Sequence, residues 1–194
     1  IDPAVVAIAK RYFQVPEDAR LRLHVQDGRR FVRETGERYD LIYLDAYNSD
    51  TIPFHLTTRE FYQELRARLA PGGLVVSNII GALRGPESAF FRAMYRTLSE
   101  VFPTLYAVPV YKETGGYFPM GEINIILIAS LDPHRLTRGD LVARAGRVGG
   151  KLVPASDLAE YASHLTDLAP DVSDVPTLTD DFAPVEILRA AVKY

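Results

Sequence analysis

Three carboxylates in the first quarter of the chain stand where chemistry could be done: Asp2, Asp27 and Asp45. Each ends a stretch that reads as a β-strand. Ile1-Asp2 is the tail of one; Leu21, Leu23 and Val25 alternate with Arg22 and His24 to make a second; Tyr39 to Ala46 is a nearly continuous apolar run. In open α/β sheets, ligands bind beyond the carboxyl ends of the strands. Three acids there would give one cleft a negative potential, suited to a cationic ligand or to ribose hydroxyls and an adenine amine. Each also has a simpler reading, since a carboxylate at a strand end caps the following turn or helix. Asp45 is the sharpest candidate. It ends the most apolar strand and enters the polar loop Ala46 to His55, where it could serve as a general base taking a proton from an amine. His55 reads either as a catalytic imidazole or as a residue packed at a helix start. Tyr111 reads either as a strand-end aromatic or as an active-site wall whose hydroxyl holds an amine and whose ring faces a cation. Among His24, His55, His134 and His164 no pair has metal-ligand spacing, so no metal site is expected.

The elements that must position these groups alternate along the chain. Pro3 suits a first helical turn, and Val5, Ile8, Ala9, Tyr12 and Phe13 recur at helical spacing. Because the chain starts Ile1-Asp2-Pro3, it is expected to be truncated at its N-terminus, lacking a first strand and a glycine-rich loop. A short helix, Arg29 to Glu34, follows Asp27-Gly28. The run Tyr39 to Ala46 reads as a central parallel strand buried on both faces. Thr57 or Thr58 caps a helix running to about Ala70, stopped by Pro71-Gly72-Gly73. Leu74 to Ile80 is a further buried strand, and Pro86 to Phe102 an amphipathic helix with Phe90, Met94, Leu98 and Val101 inward. Tyr106 to Tyr111 and Ile123 to Ala129 are joined by a segment too short for a helical crossover, which predicts a hairpin. Helices are expected near Arg138 to Ala145, Ala155 to Leu165 and Pro184 to Val192, and Thr179-Asp180-Asp181 reads as a helix cap. The alternation predicts one α/β domain over residues 1–194: a Rossmann-like sheet, mainly parallel with a C-terminal antiparallel hairpin and helices on both faces, the arrangement of class I S-adenosylmethionine-dependent enzymes.

Composition narrows the classes. The 194 residues are 47% apolar, enough for one sizeable core, and carry a formal net charge of −3. Without a basic tract, nucleic acid is excluded as the main partner. Cys is absent, which removes disulfides, thiolate metal sites and Cys nucleophiles. No apolar run approaches the roughly 20 residues that span a bilayer, and a cytoplasmic location is expected.

Several stretches together resemble the spermidine synthase (polyamine aminopropyltransferase) family. These are Ile1-Asp2-Pro3, Leu23-His24-Val25-Gln26-Asp27-Gly28-Arg29, Tyr39-Asp40-Leu41-Ile42-Tyr43-Leu44-Asp45, Glu60-Phe61-Tyr62 through Pro71-Gly72-Gly73, and Pro109-Val110-Tyr111. Leu178-Thr179-Asp180-Asp181-Phe182-Ala183-Pro184-Val185-Glu186 is similar to the tail of the bacterial spermidine synthase-like branch, which includes forms fused to membrane segments. The resemblance implies transfer of an aminopropyl group from decarboxylated S-adenosylmethionine to putrescine or a related amine, releasing methylthioadenosine. The sulfonium nucleoside is then a co-substrate, and no tightly bound cofactor is implied. By that likeness Asp27 and Gly28 bind the adenine, with Asp2 among the cofactor-binding residues. Asp45 accepts the proton, and Asp45, Asn48 and Tyr111 bind the amine. The family usually carries a second Asp three residues after the catalytic one; here that position is Asn48, an amide that lacks the charge favouring a diamine. Ile52-Pro53 stands where the usual loop has Gly-Pro. A homodimer is expected, and the resemblance admits membrane segments in a full-length form. A methyltransferase using intact S-adenosylmethionine, or a non-catalytic binding protein of the same fold, are the alternative readings.

Overall fold

The computed structural model describes residues 2–47, 52–110, 123–149, 158–166 and 169–190. The chain forms two compact units, Ile1–Glu37 and Arg38–Tyr194. Among the described residues, no helix is long and apolar enough to cross a membrane.

The first unit carries two helices, each started by an acid. Helix α1 spans Pro3–Tyr12, with Pro3 in its first turn and Asp2 at its N-cap, where the carboxylate accepts from the Ala4 N–H at 2.8 Å. Helix α2 spans Gly28–Glu34, and its N-cap Asp27 accepts from the Arg30 N–H at 3.0 Å. Side-chain oxygens there satisfy amide donors that have no intrahelical partner. The expected strand over Leu21 to Val25 is not formed: the segment lies outside any ladder and Leu21, Leu23 and Val25 are exposed. Alternation selects extended backbone, but a strand also needs a hydrogen-bonded neighbour.

The second unit holds one four-stranded sheet in the order β1-β2-β4-β3. Its strands are β1 Tyr39–Leu44, β2 Leu69–Gly81, β3 Thr104–Val110 and β4 Ile123–Ser130. β1 and β2 run parallel, joined by a crossover through helix α3, Arg59–Ala67; β4 is antiparallel to both β2 and β3. The hairpin expected from the short β3–β4 connection is present. Thr58 caps α3 by accepting from the Phe61 N–H at 3.3 Å. Where Pro71-Gly72-Gly73 was expected to end the helix, α3 stops at Ala67 and the triplet instead bulges the start of β2, shifting its register on β1 between Tyr39 and Leu41. Two glycines make that bulge. Gly72 sits at φ +78°, and a Cβ on Gly73 would stand 2.8 Å from the Tyr39 carbonyl oxygen.

One face of the sheet is the core. Val75, Ser77 and Ile79 of β2 and Ile125, Leu127 and Ala129 of β4 are buried beneath α3 and helix α4, Ala89–Ser99. From the helices come Phe61, Tyr62 and Leu65, then Phe90, Phe91, Met94 and Leu98, all fully buried or nearly so. β1 departs from the expectation of a central strand buried on both faces. Among the described residues it is an edge strand, paired with β2 alone, and Leu41 and Tyr43 are more than half exposed. A continuous apolar run specifies a strand; it does not specify what covers each side.

The C-terminal stretch is a strap over the helices. Arg96 of α4 donates to the Val172 and Val175 carbonyls at 3.0 and 2.8 Å. The Leu178 N–H donates to the buried Thr97 hydroxyl at 2.9 Å, and the Arg59 N–H to the Leu178 carbonyl at 2.8 Å. Asp180, read from the sequence as the cap of a following helix, reaches the start of α3 instead: its carboxylate accepts from the Thr58 hydroxyl at 2.7 Å, while its N–H donates to Glu60 at 2.9 Å. Helices α5 (Arg138–Gly149), α6 (Leu158–Ser163) and α7 (Val185–Ala190) complete the described elements.

Candidate functional site

The pairing of β1 with β2 ends at Leu44 and Ser77, and the chain leaves the sheet at Asp45. β2 continues to Gly81, so its backbone groups past Ser77 lose β1 as a partner. Buried amides without partners are costly, about 1–3 kcal/mol each. Tyr47 supplies what β1 no longer can. Its phenol donates to the Asn78 carbonyl at 2.7 Å and accepts from the Ile80 N–H at 3.1 Å, closing both ladder positions with one oxygen.

The same stretch of β2 holds Asp45. The Asn78 side-chain amide donates from Nδ2 to Asp45 Oδ1 at 3.1 Å. Asp45 itself is exposed, so one carboxylate oxygen is oriented by the protein while the group stays accessible. The other end of the Asn78 amide, Oδ1, is buried and has no hydrogen-bond partner among the described residues. Burial pushes the Tyr47 phenol up to about 12; the Ile80 N–H opposes that rise, the Asp45 charge adds to it, and the Arg189 guanidinium of α7 works against it. Deeper still, burial holds the Tyr62 phenol well above its ordinary value, with the Ser77 hydroxyl working against the shift.

Beneath the loop, Leu44, Ala46, Ile52, Leu56, Tyr62 and Ser77 enclose a cavity of about 20 Å³. That is room for one water molecule, so it is a packing gap and not a substrate pocket. A larger hollow of about 420 Å³ is lined by Arg38, Arg66, Leu69 and Pro71 at the opposite ends of β1 and β2. Ligands of open α/β sheets gather at the carboxyl ends of the strands, and Asp45 stands at that end of β1.

The remaining candidates fall out as follows. Asp2 and Asp27 each cap a helix in the first unit, and Gly28 is the first residue of α2, with open space where a Cβ would stand. His55 sits in a 3-10 turn, Phe54–Leu56, with its ring edge-on to Phe54 at 5.7 Å between centroids. Asn48 and Tyr111 lie outside the described residues. Among the described residues, no three His, Asp or Glu side chains cluster as metal ligands would. Two site residues were missed by sequence reasoning, Tyr47 and Asn78. Their signals were an aromatic hydroxyl two residues beyond the strand-end acid, and an amide interrupting the apolar run Leu74 to Ile80.

Comparison with known proteins agrees with the fold and names its relatives. A family model described as the spermine/spermidine synthase domain matches residues 1–124. The polyamine aminopropyltransferase of Vibrio vulnificus is 31% identical across 97% of this chain, an alignment that covers 60% of that protein. The chain thus spans about 60% of that relative's length. Among solved structures, a probable spermidine synthase from Corynebacterium glutamicum superposes with a TM-score of 0.61 at 21% identity, covering 90% of this chain and 63% of that one. A spermidine synthase in complex with the transition-state analogue AdoDATO superposes with a TM-score of 0.56 at 24% identity, covering 69% and 45%. These likenesses identify the architecture as the Rossmann-like, methyltransferase-type α/β fold.

Proposed function

The chain belongs to the spermine/spermidine synthase family, and from that premise we propose that the protein transfers an aminopropyl group from decarboxylated S-adenosylmethionine to putrescine or a related amine. The amine nitrogen attacks the propyl carbon next to the sulfonium. A C–N bond forms, the C–S bond breaks, its electrons neutralise the sulfur, and methylthioadenosine leaves. The nitrogen, now carrying an extra proton and a positive charge, loses that proton to a base. The sulfonium is already a good leaving group, so the protein's tasks are to orient the amine and to remove its proton.

The observation that carries this reading is Asp45: an exposed carboxylate at the carboxyl end of a parallel strand, with one oxygen held at 3.1 Å by the amide of the adjacent strand. One oxygen held and the other available is the arrangement a general base needs, because the accepting lone pair must be both aimed and reachable. Asp27, Gly28 and Asp2 take the nucleoside in this proposal, and Asn48 and Tyr111 join Asp45 in binding the amine. Asn48 in place of a second carboxylate weakens the attraction for a distal ammonium, so the acceptor panel should extend beyond putrescine to amines with a neutral far end.

The test is mass spectrometry of the full-length protein incubated with decarboxylated S-adenosylmethionine and a panel of mono-, di- and polyamines. Methylthioadenosine formed together with an aminopropylated amine supports the proposal. Methylated product from intact S-adenosylmethionine, or no turnover on any amine, refutes it.

A further inference from the structure

We propose that Tyr47 and Asn78 are positioning residues for the Asp45 carboxylate, acting as a relay across the ends of β1 and β2. The inference deepens the aminopropyl-transfer reading and rests on it for its kinetic test. Three hydrogen bonds define the relay. The Tyr47 hydroxyl takes the Ile80 N–H at 3.1 Å and gives to the Asn78 carbonyl at 2.7 Å, and the Asn78 amide gives to Asp45 Oδ1 at 3.1 Å. Asp45 and Tyr47 belong to one loop, Asn78 and Ile80 to the neighbouring strand. The loop therefore grips the strand at one point and is gripped by it at another two residues away.

The amide's orientation is fixed by charge, because turning it over would set its oxygen against the carboxylate. Its own Oδ1 is left buried with no partner among the described residues. A buried acceptor without a partner is a cost. An apolar residue at position 78 would avoid it, as Ile79 and Ile80 do at the next two positions. What the amide gives in return is at its other end, where it holds the exposed Asp45 carboxylate. Tyr47 contributes by fixing the backbone of Asn78, from which that amide projects. Neither side chain need touch the amine, so neither is placed as a catalytic residue.

The experiment is a double-mutant cycle in the full-length protein, with methylthioadenosine release as the readout. Asn78→Leu should lower kcat about tenfold with little change in KM for decarboxylated S-adenosylmethionine, and Asn78→Gln should recover part of the loss. Tyr47→Phe should lower kcat several-fold. In an Asp45→Ala background, Asn78→Leu should change the residual rate by less than twofold, because there is no carboxylate left to position. Equal losses from Asn78→Leu with and without Asp45 would overturn the proposal and leave Asn78 a merely structural residue. If the wild-type protein turns over no amine, the function reading fails by itself. The cycle is then read by urea unfolding, where the penalties of Asp45→Ala and Asn78→Leu should sum to more than that of the double variant. Additive penalties would overturn the positioning role independently of any activity.

Discussion

Replacing Tyr47 by Phe removes one oxygen and tests how the end of β2 is satisfied. At neutral pH the variant loses a hydrogen bond to the Asn78 carbonyl and another from the Ile80 N–H, and the expected cost is about 1–3 kcal/mol for leaving part-buried backbone groups without partners. The pH dependence of that cost is the sharper test. Burial raises the phenol to about 12, with Asp45 adding to the rise and the Ile80 N–H and Arg189 opposing it. An unfolded tyrosine titrates near 10. Between those two values the unfolded state has lost the proton that the folded state keeps, so the stabilisation tied to Tyr47 is fully present below about pH 10 and is lost as pH rises toward 12. The shift corresponds to at most about 2.7 kcal/mol at roughly 1.4 kcal/mol per unit, and a half-buried ring warrants a reduction to about 1–2 kcal/mol. Wild type and Tyr47→Phe should be compared by urea unfolding at intervals from pH 7 to 11. The raised Tyr62 phenol also destabilises the fold in alkali, but it is common to both proteins and cancels in the difference. The gap between them should stay constant to about pH 9.5 and narrow by about 1 kcal/mol at pH 11. A gap that does not change with pH would mean the phenol is solvated and that β2 ends without Tyr47's help.

Asp45→Asn keeps shape and hydrogen-bonding capacity while removing the proton acceptor, so turnover should fall about 10²- to 10⁴-fold with little change in methylthioadenosine affinity. A rate unaffected by the change would reduce Asp45 to a turn residue. Asp27→Ala should weaken methylthioadenosine binding by about 1–3 kcal/mol in calorimetry, while Asp27→Asn, which still caps α2, separates loss of the helix start from loss of the ligand contact. Thr97→Val should destabilise the second unit by about 1–3 kcal/mol in urea unfolding, because it strips the acceptor from the Leu178 N–H in a fully buried contact. A neutral Thr97→Val would show that the strap is not anchored there.

How far the sequence was legible depends on how local the determinant was. Thr58 is an N-cap because its hydroxyl reaches the Phe61 N–H three residues on, and that spacing is visible in the chain. The inward face of α4, with Phe90, Met94 and Leu98 buried, follows from helical periodicity alone. The β3–β4 hairpin follows from the length of its connection. Partner-dependent features were not legible. The apolar residues of β1 look the same whether the strand is central or at an edge and whatever covers its faces; among the described residues β1 pairs with β2 alone, and Leu41 and Tyr43 stand exposed. Leu21 to Val25 has the alternation of a strand but joins no ladder among the described residues. Asp180 was placed at the wrong helix because its contact with Thr58 crosses 122 positions of sequence, a distance at which spacing carries no information.

The candidate site shows why the sequence singles out Asp45 as a candidate and passes over Tyr47. A carboxylate at the end of an apolar run stands out because its neighbours are unlike it. A tyrosine in a polar loop does not, since nothing in Ala46-Tyr47-Asn48 reveals that its hydroxyl will replace a missing strand. Yet the two depend on each other physically. A parallel strand that releases its chain early, to present a carboxylate beyond the sheet, exposes the next ladder groups of its neighbour. Some group must then satisfy them, and a side chain from the departing loop is the nearest supply. Stability and chemistry therefore meet at the same few atoms of β2, where Asn78 uses its backbone carbonyl for Tyr47 and its amide for Asp45. Changing Asp45 to Asn should cost turnover with little stability, because exposed Asp45 bears little of the fold. Changing Tyr47 to Phe should cost both, because the hydroxyl that completes the ladder also fixes the residue that aims the base.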